Sequence, residues 1–166
     1  MDIHADLGRH LESLAEEDVR VLLRDLLKAM GFRHVTITHG TLEHGRDLVF
    51  AETDKLGREI WRAIQAKATS VSGSLSSPDG LRAVLRQCEA ALDTEWTTAA
   101  GAKIRIREVW LVTTGAVSEQ AKASVAGMKS VLEVVHIIDG PSLVDLVKQF
   151  LPDLLRSESK PIDDYL

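Results

Sequence analysis

The chain has 166 residues, 45% of them apolar and 27% charged, and a formal net charge of −5 at neutral pH. That length carries one domain with a sizeable core, and no apolar run is long enough to span a membrane. The negative balance excludes a protein that coats nucleic acid by releasing many counterions, although a bound divalent cation or a local basic stripe still permits nucleic-acid chemistry.

Met1 to Asp6 is polar and lacks the basic-then-apolar plan of a signal peptide. From Glu16 to Met30, apolar residues recur at helical spacing: Val19, Leu22, Leu23, Leu26, Leu27 and Met30. Gly31 stops that helix. Val35 to Thr38 reads as a short strand, and His39 to Gly45 as a loop. Arg46 to Glu52 and Glu59 to Lys67 read as the two strands of a hairpin turning at Asp54-Lys55-Leu56-Gly57. Thr69 to Asp79 is a serine-rich loop whose end, Ser77-Pro78-Asp79, opens a helix. That helix buries Leu81, Val84, Leu85, Cys88 and Leu92. Cys88 is the single cysteine, which excludes an internal disulfide and a cysteine-built zinc site and fits a reducing, cytoplasmic setting.

Thr94 to Lys103 reads as a second polar loop. Glu108 to Thr114 is a continuously apolar strand, as in a parallel sheet covered on both faces. Ser118 opens a helix with Ala121, Val125 and Met128 on one face. Val134 to Ile138 reads as a further buried strand with His136 in the core. Asp139-Gly140-Pro141-Ser142 leads into a last helix through Phe150. Residues 157–166 form a polar tail or linker, which leaves 1–156 as the domain. The order of elements predicts an α/β fold, a three-layer α/β/α sandwich with a mixed central sheet.

The hairpin carries the chemistry. Centred on its turn, it sets Asp47 opposite Gln65, and Lys67, two residues on, shares that face. A carboxylate, an amide oxygen and an ammonium on one patch suit metal-assisted phosphodiester hydrolysis. Magnesium takes oxygen ligands and keeps several waters beside one or two carboxylates. Asp47 is then the main ligand, Gln65 a neutral oxygen donor, and the Ala66 carbonyl a third donor at the same edge. Lys67 orients or deprotonates the attacking water, or neutralises developing charge. The same groups also suit an Asp47–Lys67 ion pair that fixes strand register. Arg46, Arg58, Arg62, Lys103, Arg105 and Arg107 are candidates for phosphate contacts. His39 and His44 flank the glycine loop beside the site.

These residues bring out a resemblance. Gly40-Thr41-Leu42-Glu43-His44-Gly45-Arg46-Asp47-Leu48-Val49, followed by Gln65-Ala66-Lys67, is similar to the Mrr-like branch of the PD-(D/E)xK nuclease superfamily, whose third motif is often QxK. Thr69-Ser70-Val71-Ser72-Gly73, the helix with Gln87 and Ala91, the strand ending Thr113-Thr114-Gly115, and Ile138-Asp139-Gly140 follow in the family's order. The resemblance implies a restriction-endonuclease-like fold, with Asp47 as metal-binding aspartate, Gln65 at the third-motif acidic position, Lys67 as catalytic lysine and Glu43 as a second acid. For the family's first-helix glutamate, Glu17 is the possible additional acid, roughly one turn early, and Arg20 occupies the nearer position. Gln65 in place of glutamate removes one charge from the metal site.

The resemblance further implies a magnesium-dependent endonuclease acting on DNA, with manganese as a substitute, serving a bacterial restriction or anti-phage system. A homodimer or higher oligomer, a fused or associated NTPase or sensor module, and a location off the membrane belong to the same expectation. Two other readings stay open: a catalytically inactive nuclease-fold module that binds nucleic acid or a protein partner, and an RNA-cleaving toxin domain with the same site.

Overall fold

A computed structural model describes residues 3–38, 46–71 and 80–157. Helix α1 (Ile3–Ser13) lies in a stretch with no helix expected from its polar start. Leu7 and Leu11 are one turn apart, and both are buried. Helix α2 (Glu16–Ala29) forms where the apolar period places it, with Val19, Leu23, Leu26 and Leu27 buried. Glu16, Glu17 and Asp18 fill its first turn and Lys28 its last, each favourable for the helix dipole.

Strand β1 (Arg33–Ile37) pairs with β2 (Leu48–Thr53), which forms an antiparallel hairpin with β3 (Glu59–Lys67). The turn between β2 and β3 is built as its residues require. Asp54 accepts hydrogen bonds from the backbone N–H groups of Leu56 and Arg58, and Gly57 takes a positive φ of 79°. Helix α3 (Leu81–Asp93) follows, burying Leu81, Val84, Leu85, Cys88 and Ala91.

The segment expected to be a second polar loop contains a small hairpin, β4 (Trp96–Thr97) with β5 (Lys103–Ile104). Trp96 and Ile104 face each other across it and pack on the core, an apolar pair too sparse to show a strand period. Strand β6 (Glu108–Thr113) is followed by helix α4 (Glu119–Ala126), whose Ser118 caps it by accepting from Ala121 N. Met128 falls outside that helix and is exposed. A single turn, α5 (Lys129–Leu132), leads to β7 (Val135–Ile138). Asp139 then caps α6 (Gly140–Phe150), and α7 (Pro152–Ser157) follows.

The sheet order is β1-β2-β3-β6-β7, antiparallel through β3 and parallel from β3 to β7. Helices α3 and α4 cover one face, and α1, α2 and α6 the other. The fold is therefore a three-layer α/β/α sandwich with a mixed sheet, and β6 is buried between parallel neighbours as its unbroken apolar run requires. The buried reading of β7 is corrected: it is an edge strand, and His136 is an exposed residue with Nε2 3.8 Å from Glu108. An apolar run does not by itself distinguish an edge strand from a central one.

Two glycines allow close crossings at one rim of the sheet. A Cβ on Gly115 would stand 2.7 Å from Ser70 N, and one on Gly140 2.6 Å from the Thr114 carbonyl. That rim holds the C-terminal ends of β3, β6 and β7 and the start of β2, where open α/β sheets place their ligands.

Candidate active site

Asp47 stands one residue before β2, yet the sheet continues through it. Its N–H donates to the Ile64 carbonyl at 2.7 Å, and its own carbonyl accepts from Thr38 N at 2.9 Å. Leu48 pairs with Ile64, and the Asp47 N–H reaches that same Ile64 carbonyl while its own C=O turns the other way, so the ladder is irregular at Asp47, which sits at the open end of the hairpin beside Ala66. Trp61 and Ala63, which alternate in step with Gln65 and Lys67 and lie opposite Ala51 and Val49, all join the core beneath α3. Gln65 and Lys67 thus continue an apolar face, and Asp47 meets them from the end of the hairpin, where its carboxylate also reaches Arg20 of α2.

Each group at this corner has a defined state. Asp47 Oδ2 accepts a hydrogen bond from Ala66 N at 2.8 Å. In a strand, a residue's N–H and C=O point to the same side, so the Ala66 carbonyl is directed to the Asp47 side too. Gln65 is only 7% exposed, and its buried Oε1 has no hydrogen-bond partner among the described residues. Leaving such an oxygen unpaired costs about 1–3 kcal/mol. Lys67 is partly buried and forms no ion pair among the described residues. Its charge reaches both Asp47 and Cys88.

Helix α2 supplies the remaining charges. Arg20 Nη2 lies 3.3 Å from Asp47 Oδ1 and 3.9 Å from Glu16 Oε2, and Arg20 Nε is buried without a partner among the described residues. The ion pair of Asp47 is therefore with Arg20, and an Asp47–Lys67 register pair is not what the structure contains. Burial pushes the Asp47 carboxyl above its ordinary range; the Ala66 N–H and Arg20 oppose this, and Glu16 adds to it.

The donor set fits a hard cation. One carboxylate, one amide oxygen with no partner and one backbone carbonyl are ligands that magnesium or manganese accepts alongside water. Among the described residues no three or more His, Cys, Asp or Glu gather into a metal site, and Asp47 is the carboxylate that Ala66 N holds beside Gln65. Glu43, His39 and His44 lie outside the described residues. Glu17 is exposed and makes no ion pair among the described residues; the first-turn acid that reaches the site is Glu16, which sequence reading passed over. Its one available signal is the four-residue spacing to Arg20.

The expected basic stripe does not assemble beside Asp47. Arg46 is buried, and its Nη1 donates to the Thr94 carbonyl at 2.8 Å, which ties the start of the hairpin to the end of α3. Arg62 bridges Glu52 at 2.6 Å and Glu108 at 2.8 Å, and Arg58 pairs with Asp54 at 2.8 Å. Arg105 and Arg107 precede β6, and Arg107 N donates to the Trp61 carbonyl at 2.8 Å. The parallel register aligns Arg62 with Glu108 and Lys67 with Thr113. Arg58, Arg62, Arg105 and Arg107 consequently lie toward the opposite rim, with Arg62 roughly 17 Å along β3 from Lys67.

A mixed five-stranded sheet between helical layers, with Asp47, Gln65 and Lys67 at the open end of its hairpin, is a restriction-endonuclease-like fold. The family model Mrr_cat, described as restriction endonuclease, matches residues 11–147, and the chain belongs to that family. Searches of curated proteins and of solved structures found no match. Among the described residues no helix is long and apolar enough to cross a membrane.

Proposed function

We propose that this chain is a divalent-metal-dependent endonuclease that hydrolyses phosphodiester bonds of DNA, with magnesium as its cation and manganese as a substitute. The observation that carries the reading is the buried Gln65 Oε1, which has no hydrogen-bond partner among the described residues and stands on the strand whose next residue, Ala66, holds Asp47. A bound cation would supply Lewis acidity and a more acidic water. Asp47, held in place by Ala66 N–H, fixes where that positive charge sits. Gln65 offers its amide oxygen to the same point without a second negative charge. Lys67, with no ion pair among the described residues and on the Gln65 face of β3, orients or deprotonates the attacking water and neutralises charge that develops on the phosphate.

In the cell the domain serves as the effector of a bacterial restriction or anti-phage system in the cytoplasm. It works as a homodimer, because two sites cut two strands, and takes its signal from a fused or associated NTPase or sensor module. Residues 1–156 act as the nuclease unit and 157–166 as a tail or linker. Glu43 is a further candidate acid.

Incubation of supercoiled plasmid with magnesium tests the reading. We expect metal-dependent nicking and linearisation, with Asp47→Ala and Lys67→Ala each slowing it by about 10²–10³-fold. Metal-dependent cleavage that survives both substitutions would sink the assignment. A binding module is the rival with an observation behind it, since the described carboxylate already holds an arginine. Tight duplex binding without cleavage under magnesium or manganese decides for that rival, and cleavage confined to RNA decides for a ribonuclease.

A further inference from the structure

Arg20 is under-satisfied where it stands. A guanidinium offers five N–H donors. Among the described residues the carboxylate oxygens within reach lie at 3.3 Å and 3.9 Å, and Nε has no acceptor although it is buried. Charge-assisted hydrogen bonds to carboxylates close to about 2.7–2.9 Å, so the Asp47 contact is a loose one. Asp47 has one oxygen committed to Ala66 N, and the oxygen facing Arg20 is the one left for a cation. A divalent cation and a guanidinium cannot share that oxygen without like-charge repulsion. A phosphate drawn to a cation on that oxygen would meet the same arginine, whose Nη2 lies 3.3 Å from it, and its oxygens match the planar fork of Arg20.

We propose that Arg20 is a phosphate-binding residue, parked on Asp47 in the metal-free protein and transferred to the scissile phosphate when a divalent cation takes the carboxylate. The proposal rests on the nuclease reading and adds a residue to it. Glu16, one turn before Arg20, keeps the guanidinium at the mouth of the site during the exchange. Cation and DNA then favour one another's binding, because each removes Arg20 from a place where it opposes the other.

The test is calorimetric titration of manganese into the metal-free protein, followed by anisotropy of a short fluorescent duplex with and without manganese. Wild type, Arg20→Gln and Arg20→Lys are compared. We expect Arg20→Gln to bind manganese about fivefold more tightly in the absence of DNA, and to lose at least a similar factor in duplex affinity when manganese is present. Arg20→Lys keeps the charge without the fork, so its manganese affinity stays near wild type while its duplex affinity falls; it also serves if the glutamine variant does not fold. Unchanged or weaker manganese binding by a folded Arg20→Gln overturns the parked-arginine proposal and leaves the nuclease reading standing. Absence of manganese binding in wild type and in both variants overturns the metal site itself, and this proposal with it.

Discussion

At the scale of single residues, Asp47 is costly to the fold and necessary to the proposed chemistry. Burial raises its pKa despite Arg20 and the Ala66 N–H. An acid whose folded pKa lies above its unfolded value contributes stability below the unfolded pKa and loses it as pH rises through the folded pKa. Asp47→Asn should therefore melt like wild type in acid and above wild type at neutral pH, in thermal scans without metal, while losing cleavage. Gln65 gives the complementary case. Gln65→Glu places a second charge where an amide is now 7% exposed. We expect manganese to bind about tenfold more tightly, following ligand charge, and the metal-free fold to lose about 1–3 kcal/mol in chemical denaturation. The register that brings Asp47, Gln65 and Lys67 to the open end of the hairpin was legible in the sequence, because a hairpin's turn fixes how Leu48 meets Ile64. Arg20 as partner of Asp47 was not, because that contact joins a helix to a strand with no local pattern between them.

At the scale of elements, legibility followed periodicity. Helix α2 and the β2–β3 hairpin have long apolar patterns and clear stop signals, so sequence and structure agree there. Helix α1 escaped because its apolar residues are few and its start is polar. The β4–β5 hairpin escaped because two-residue strands carry no period. Edge and centre were confused at β7, since hydropathy does not report how many neighbours a strand has. The glycine crossings could be read only as turns; their tightness belongs to the assembled rim. Gly140→Ala would push a methyl against the Thr114 carbonyl, which as backbone cannot swing aside. We expect a loss of about 1–3 kcal/mol in urea unfolding, typical of overpacking.

At the scale of the whole molecule, charge is divided between the two rims of the sheet. The groups of the proposed hydrolytic site sit where β3 and β6 end, and Arg58, Arg62, Arg105 and Arg107 lie toward the end where β6 begins. Replacing Arg58, Arg105 and Arg107 by glutamine should leave duplex affinity and its salt dependence unchanged to within about twofold, whereas removal of a phosphate contact would flatten the salt slope. The hairpin turn on that distant rim has a practical consequence. Leu56 at its tip is 78% exposed. The chain's one thiol, Cys88, is fully buried with its pKa pushed up to about 12 by that burial. A Leu56→Cys protein thus offers a maleimide dye one reactive sulfur, at the end of the hairpin farthest from Asp47, so that single molecules can be watched arriving on DNA with the active edge left uncovered.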